Sequence, residues 1–142
     1  MDECIFCKIM AGEASCRKLY EDETVLCMLD IGQIFSDTGE CTPGRSLIIP
    51  KKHVTWFYDL EDEEAGHLFI VAKKIAPKIK KAFNPDFVTV IIRGQRVSHA
   101  HIILQPTVKD DPFDNLFANL AGSFRVAPDE LLNDIALKIQ QS

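Results

Sequence analysis

The sequence predicts an α+β fold: an antiparallel sheet of about five strands, one long helix laid across it and a C-terminal helix. Three observations lead there. Short apolar runs at 18–20, 24–29, 46–49, 87–92 and 97–105 have strand length and are separated by turn-forming residues. The stretch 61–83 carries Leu68, Val71, Ala72, Ile75 and Ile79 at helical spacing. Strands and helices are segregated along the chain instead of alternating as βαβ units.

Taken in order, residues 6–10 form a short helix or turn closed by Ala11 and Gly12. The run 18–20 reads as a short strand, and 24–29 as a buried strand entering Asp30. Residues 32–44 hold Gly, Ser, Asp, Thr and Pro and read as a loop. The strand 46–49 stops at Pro50. The helix 61–83 opens on acidic residues, which suit the positive end of its dipole, and Pro77 should kink it or end it early. Asn84, Pro85 and Asp86 make a turn, and Gly94-Gln95 turns 87–92 into 97–105, its expected partner. Pro128 opens the last helix, where its missing N–H costs nothing.

Composition sets bounds. The 142 residues suit a single domain able to bury a core. A net charge of −5 argues against an extended nucleic-acid footprint, while leaving room for a small nucleotide. The lysines between Lys73 and Lys81 fall on one helix and read as a solvated face. No run approaches the roughly 20 apolar residues of a membrane span, and the N-terminus lacks a signal-peptide pattern. Five cysteines without such a signal point to a reducing compartment, by default the cytoplasm.

The chemistry gathers in two patterns. His99-Ala100-His101 on a strand would place both imidazoles on one face with Ile103 and Gln105. Such a pair can bind metal, act as nucleophile and acid, or simply be solvated. Cys4-x-x-Cys7 suits tetrahedral zinc, a redox dithiol or two buried thiols, although the redox reading lacks its βαβ context. His53 follows a strand end and could complete a four-ligand site with Cys4, Cys7 and His99. His67 lies inside the long helix and reads as a structural residue.

Four stretches in order resemble the histidine-triad (HIT) superfamily in its zinc-bearing bacterial form: the opening CIFCKIMAGE at 4–13, Leu29-Asp30-Ile31, the run PGRSLIIPKKH at 43–53 and GQRVSHAH at 94–101. The match covers about 4–106, leaving 107–142 as a variable tail. The resemblance implies a HIT-like fold, a homodimer, and a hydrolase or nucleotidyltransferase that acts at an α-phosphate through a nucleotidyl-histidine. His101 takes the nucleophile's position. Cys4, Cys7, His53 and His99 take those of structural zinc ligands. Phe6, Ile9, Leu29 and Ile31 match the apolar wall of a nucleoside pocket, and Asp30 the acid on the ribose hydroxyls. Arg45, Gln95 and Ser98 are candidates for phosphate contacts.

The chain departs from the family pattern at four places. Ile103 replaces the third triad residue, and Arg45 replaces a histidine. The turn before Gly94 is short, and the loop 32–42 is long and adds Cys41. These changes imply altered specificity, or a binding module that has kept fold and zinc but not efficient turnover.

Overall fold

A computed structural model describes residues 3–93 and 96–142. Helix α1 (Ile5–Met10) leads into strands β1 (Lys18–Glu21) and β2 (Val25–Leu29), a small hairpin β3 (Ile34–Phe35) and β4 (Cys41–Thr42), and strand β5 (Ser46–Pro50). Helix α2 (Asp62–Phe83) follows, then β6 (Phe87–Arg93), β7 (His101–Thr107), α3 (Pro112–Ala121) and α4 (Asp129–Gln140). The five longer strands form one antiparallel sheet in the order β1-β2-β5-β7-β6. The α+β prediction is met.

Both faces of the sheet centre are covered, so its strands are almost uniformly apolar instead of alternating. Alternate side chains still part company. Cys27, Ile48, Ile102 and Leu104 pack under α2 against Leu68, Val71, Ala72, Ile75 and Ile79. Leu26, Met28, Leu47, Ile49 and Ile103 face the other way and pack with Phe6 of α1. His101, Gln105, Arg45 and Asp30 share the parity of this second face, which therefore carries the site.

Helix α2 begins with a reciprocal capping box between Glu61 and Glu64 and ends on Asn84 in the left-handed region. Pro77 does not end it. It lies on the exposed side, where water can serve the carbonyl that loses its N–H partner. The basic residues Lys73, Lys74, Lys78, Lys80 and Lys81 are exposed, as a solvated face requires.

Three expectations need correction. Residues 32–44 are not wholly irregular, because Ile34 pairs with Thr42 and Phe35 with Cys41. The helix α3 escaped the sequence reading; Asp111 caps it by accepting from the N–H groups of Phe113 and Asp114. The last sheet strand starts at His101, not at residue 97. Residues 96–99 bend, with the His99 N–H donating to the Val97 carbonyl at 2.7 Å and the Ala100 N–H donating to Val54 at 2.7 Å. His99 and His101 thus do not sit on one continuous strand.

Candidate functional site

The bend before β7 turns His99 towards the start of α1. Cys4 Sγ lies 3.5 Å from His99 Nδ1, and Cys7 Sγ lies 3.2 Å from His53 Nδ1 and 3.7 Å from His99 Nδ1. The two Nδ1 atoms are 3.2 Å apart. Zinc–sulfur bonds of about 2.3 Å and zinc–nitrogen bonds of about 2.0–2.1 Å on a tetrahedron demand S···N edges near 3.5 Å and an N···N edge near 3.3 Å. These four separations match those edges, and all four donor atoms lie within 4.8 Å of one another. His99 Nε2 donates to the Pro50 carbonyl at 2.7 Å, which leaves the lone pair on Nδ1, facing the cluster. Burial holds the His99 pKa below the ordinary value, against the pull of that same carbonyl, and so favours the neutral imidazole that metals bind. By contrast Cys27 is a core thiol, pushed up to about 12 by burial. The five cysteines are all unpaired by disulfides.

His101 stands next to this cluster. Its Nδ1 lies 2.8 Å from the His99 carbonyl, which can only accept, so Nδ1 carries the hydrogen and Nε2 the lone pair. The Phe6 ring meets both imidazoles edge-on, at 5.6 Å from His99 and 5.4 Å from His101. His101 lines a cavity of about 710 Å³. Phe6, Ile9, Leu29, Ile31, Met28 and Leu47 form its apolar wall, with Asp30 and Arg45 at the far end. Ile31 sits at the mouth, 94% exposed. A hollow of about 850 Å³ beside α2 is larger, but Asp22, Glu23, Glu61, Glu63 and Glu64 line it and would repel phosphate.

At the far end Asp30, Arg45 and Gln105 are neighbours across β2, β5 and β7. Arg45 Nε donates to Asp30 Oδ2 at 2.8 Å, and Arg45 Nη1 donates to Gln105 Oε1 at 2.8 Å. Gly44 precedes this arginine at φ +109°, and an added Cβ would meet Ile79, Phe83 and Pro106 at 3.0–3.1 Å. Only glycine lets the chain enter β5 so close to α2.

The candidates named from sequence divide. Cys4, Cys7, His53 and His99 come together, and Phe6, Ile9, Leu29, Asp30, Ile31, Arg45 and His101 meet around one cavity. Ser98 is exposed and is not part of the cavity lining; the bend at 96–99 spends the residue on redirecting the backbone. Gln95 lies outside the described residues. Sequence reasoning missed Arg17 and Arg96, which also line the cavity. Arg96 sat inside a quoted motif; Arg17 carries no sequence signal.

A five-stranded antiparallel sheet with a Cys₂His₂ cluster at one strand end, and a tautomer-fixed histidine in a nucleotide-sized cavity beside it, defines a narrow class of α+β proteins. The HIT domain model matches residues 11–107, and the chain belongs to the HIT family. It is 36% identical to Protein hit of Bacillus subtilis over 93% of the chain and 89% of that protein. An adenylylsulfatase of Arabidopsis thaliana is 33% identical over 78% of the chain and 55% of its own length. An adenosine 5′-monophosphoramidase of Schizosaccharomyces pombe is 33% identical over 72% of the chain and 74% of its length. Among solved structures, a Streptococcus mutans protein superposes with a TM-score of 0.77 at 37% identity, covering 99% of this chain and 85% of that one. A zinc-bound histidine triad protein of Mycobacterium smegmatis does so at 0.66 and 29% identity, covering 90% and 85%. With that structure in view, the Cys4–Cys7–His53–His99 cluster suggests a zinc site.

Proposed function

We propose that this protein is a nucleotide hydrolase or nucleotidyltransferase in which His101 is the nucleophile. The observation that carries the reading is the 2.8 Å bond from His101 Nδ1 to the His99 carbonyl, which puts the lone pair on Nε2 at the wall of a nucleotide-sized cavity. Asp30 receives the ribose hydroxyls and the apolar wall receives the base. Nε2 attacks the α-phosphorus; an N–P bond forms as the bond to the leaving group breaks, and the leaving group departs with its electron pair. Water, or another acceptor in a transfer, then attacks phosphorus. The N–P bond breaks, its pair returns to Nε2, and the water's proton is lost to solvent. The activities of the Arabidopsis and fission-yeast relatives belong to the same reaction class.

Zinc bound by Cys4, Cys7, His53 and His99 would be structural. All four coordination positions are filled by protein, and the metal would fix the backbone carbonyl that orients His101. A reducing compartment, the cytoplasm, keeps those thiols competent. We read the chain as one domain working as a homodimer. The edge strand β6 exposes Phe87 and Val90, and α2 exposes Phe69, Ile70 and Phe83, which are surfaces for a second copy. Light scattering on the purified protein should return twice the chain mass.

A specific observation supports a second reading, a binding module with little turnover. Ile103 is buried among Leu47, Met28 and Ile49, where the family carries a polar triad residue. The two readings separate by mass spectrometry after incubation with adenylyl and guanylyl phosphoramidates, sulfates and dinucleoside polyphosphates. An acid-labile nucleotidyl adduct, absent in His101→Ala, supports the enzyme. Tight binding with neither adduct nor turnover supports the module and overturns the catalytic reading.

A further inference from the structure

The end of the cavity away from His101 is built for more charge than a plain ribose brings. Arg45 is gripped on both sides, by Asp30 through Nε and by Gln105 through Nη1. Gln105 is fully buried, and its own amide group donates to the Pro106 carbonyl at 2.7 Å, which fixes its oxygen towards the guanidinium. Behind it, Gln33 Oε1 accepts from the Gly44 and Arg45 backbone N–H groups at 2.9 and 3.1 Å. A guanidinium has five N–H donors, and two of Arg45's are used in this way. Its remaining donors have no acceptor among the described residues, and Arg45 lines the cavity.

Charge reinforces the geometry. Arg17 lies at the head of β1, where its carbonyl accepts from the Leu29 N–H at 2.9 Å, and it lines the same end of the cavity. Arg17, Arg45 and Arg96 face the cavity with Asp30 as the single carboxylate among its described lining residues. The cavity is therefore positive in a chain whose net charge is −5. Arg96, beside Val97 and His101, suits the phosphoryl group under attack. Asp30 neutralises one of the other two arginines, which leaves a full positive charge at the ribose end.

We infer that Arg45, with Arg17, forms a second phosphate subsite, so that the substrate class is a nucleotide phosphorylated on the 2′ or 3′ ribose hydroxyl as well as at the 5′ position. One ribose hydroxyl donates to Asp30. The phosphate on its neighbour takes the outward N–H pair of Arg45, a planar fork suited to two oxygens. The inference rests on the nucleotide reading of the cavity proposed above, and Gln105 acts in it as a positioning residue.

Titration calorimetry on the zinc-loaded full chain tests it. The probes are the 5′-monophosphates of adenosine and guanosine and the corresponding 2′,5′- and 3′,5′-bisphosphates. One bisphosphate should bind roughly tenfold or more tightly than its monophosphate, the gain of a charge-assisted hydrogen-bonded pair. That ratio should fall towards one in Arg45→Gln. It should fall partway in Gln105→Leu, and partway in Arg17→Gln, an exposed position where the change leaves folding intact. Monophosphate binding with no preference for either bisphosphate overturns this inference alone. Failure of every probe to bind overturns the nucleotide reading along with it.

Discussion

The two ends of the site face are held in place by different means. At the His101 end, position comes from backbone and from soft donor atoms: carbonyls fix the imidazoles of His99 and His101, and two thiols and two Nδ1 atoms stand at metal-binding separations. At the Asp30 end, position comes from side chains that hold one another, a carboxylate, a guanidinium and an amide across three strands. A metal cluster tolerates almost no change in its ligands. A side-chain network can be rewritten one residue at a time as long as each polar group keeps a partner. The departures from the family pattern follow this only in part: the Cys and His positions of the cluster are kept, and Arg45 and Ile103 mark the other end and the middle, but the shortened turn before Gly94 falls at the His101 end, where Arg93 pairs with His101.

The largest expected effect comes from breaking the cluster end. Removing a ligand in Cys7→Ser or His99→Ala, or stripping metal with a chelator, should cost several kcal/mol, on the order of 10 °C in Tm, because structural metal binding is folding energy. Elemental analysis should find about one zinc per chain in the intact protein and little in the variants. Metal-free protein as isolated, or an unchanged melting curve after chelation, would make this end no more rigid than the other. Next comes the entry to the Asp30 end. Gly44→Ala should cost about 2–4 kcal/mol by urea unfolding, since the residue is at φ +109° and the new methyl would press on Ile79, Phe83 and Pro106. A cost under about 0.5 kcal/mol would mean that the neighbours yield and that Arg45 is less tightly placed than its bonds suggest.

Between the two ends, Ile103→His places an imidazole where the resemblance puts the third triad residue, without surroundings built for it. Ile103 is 4% exposed and packed among Leu47, Met28 and Ile49. A buried imidazole there finds no prepared partner among the described residues and should cost about 1–3 kcal/mol without raising turnover. Increased turnover at unchanged stability would show that the apolar middle of the face limits catalysis and that one substitution lifts the limit.

Much of this was legible in the sequence. The sheet strands and α2 follow from apolar spacing, and the Cys₂His₂ cluster follows from Cys4-x-x-Cys7 with two histidines in a family context. What escaped depends on three dimensions. The bend at 96–99 is held in part by a bond from the Ala100 N–H to Val54, 46 positions away, which no local pattern reveals, so the sequence alone reads His99 and His101 as strand neighbours. Helix α3 is the exception: Phe113, Leu116, Phe117, Leu120 and Ala121 recur at helical spacing behind Asp111-Pro112, a legible signal that the sequence reading passes over. The Asp30–Arg45–Gln105 row joins residues up to 75 positions apart, and no spacing rule could align them before the strand register was known.

The smallest effect uses a carboxylate that belongs to neither end. Asp22 closes the turn between β1 and β2. Its Oδ1 accepts from the Thr24 and Val25 N–H groups at 2.9 Å each, while Oδ2 accepts from Tyr20 at 2.7 Å and lies 2.6 Å from His67 Nε2. Burial pushes this carboxyl up, but the bonds from His67, Tyr20 and the backbone outweigh it and hold it well below the usual carboxylate range. A depressed native value means that the unfolded chain takes up the proton first. The contribution to stability is complete above the unfolded value of about 4 and drains away as pH falls towards the native one. Asp22→Asn should therefore cost about 1 kcal/mol at pH 7 and lose less on acidification than the parent protein between pH 5 and pH 3, measured by urea unfolding. Asp30 is also bonded, by Gly32 N–H and Arg45, but it lines the cavity that holds His101, whereas Asp22 lies outside that cavity and its oxygens serve the β1–β2 turn, Tyr20 and His67. If Asp22→Asn and the parent lose stability in parallel, the bonds to the turn, Tyr20 and His67 carry no net energy, and the distinction between a structural carboxylate and one held ready for a ligand must rest on position alone.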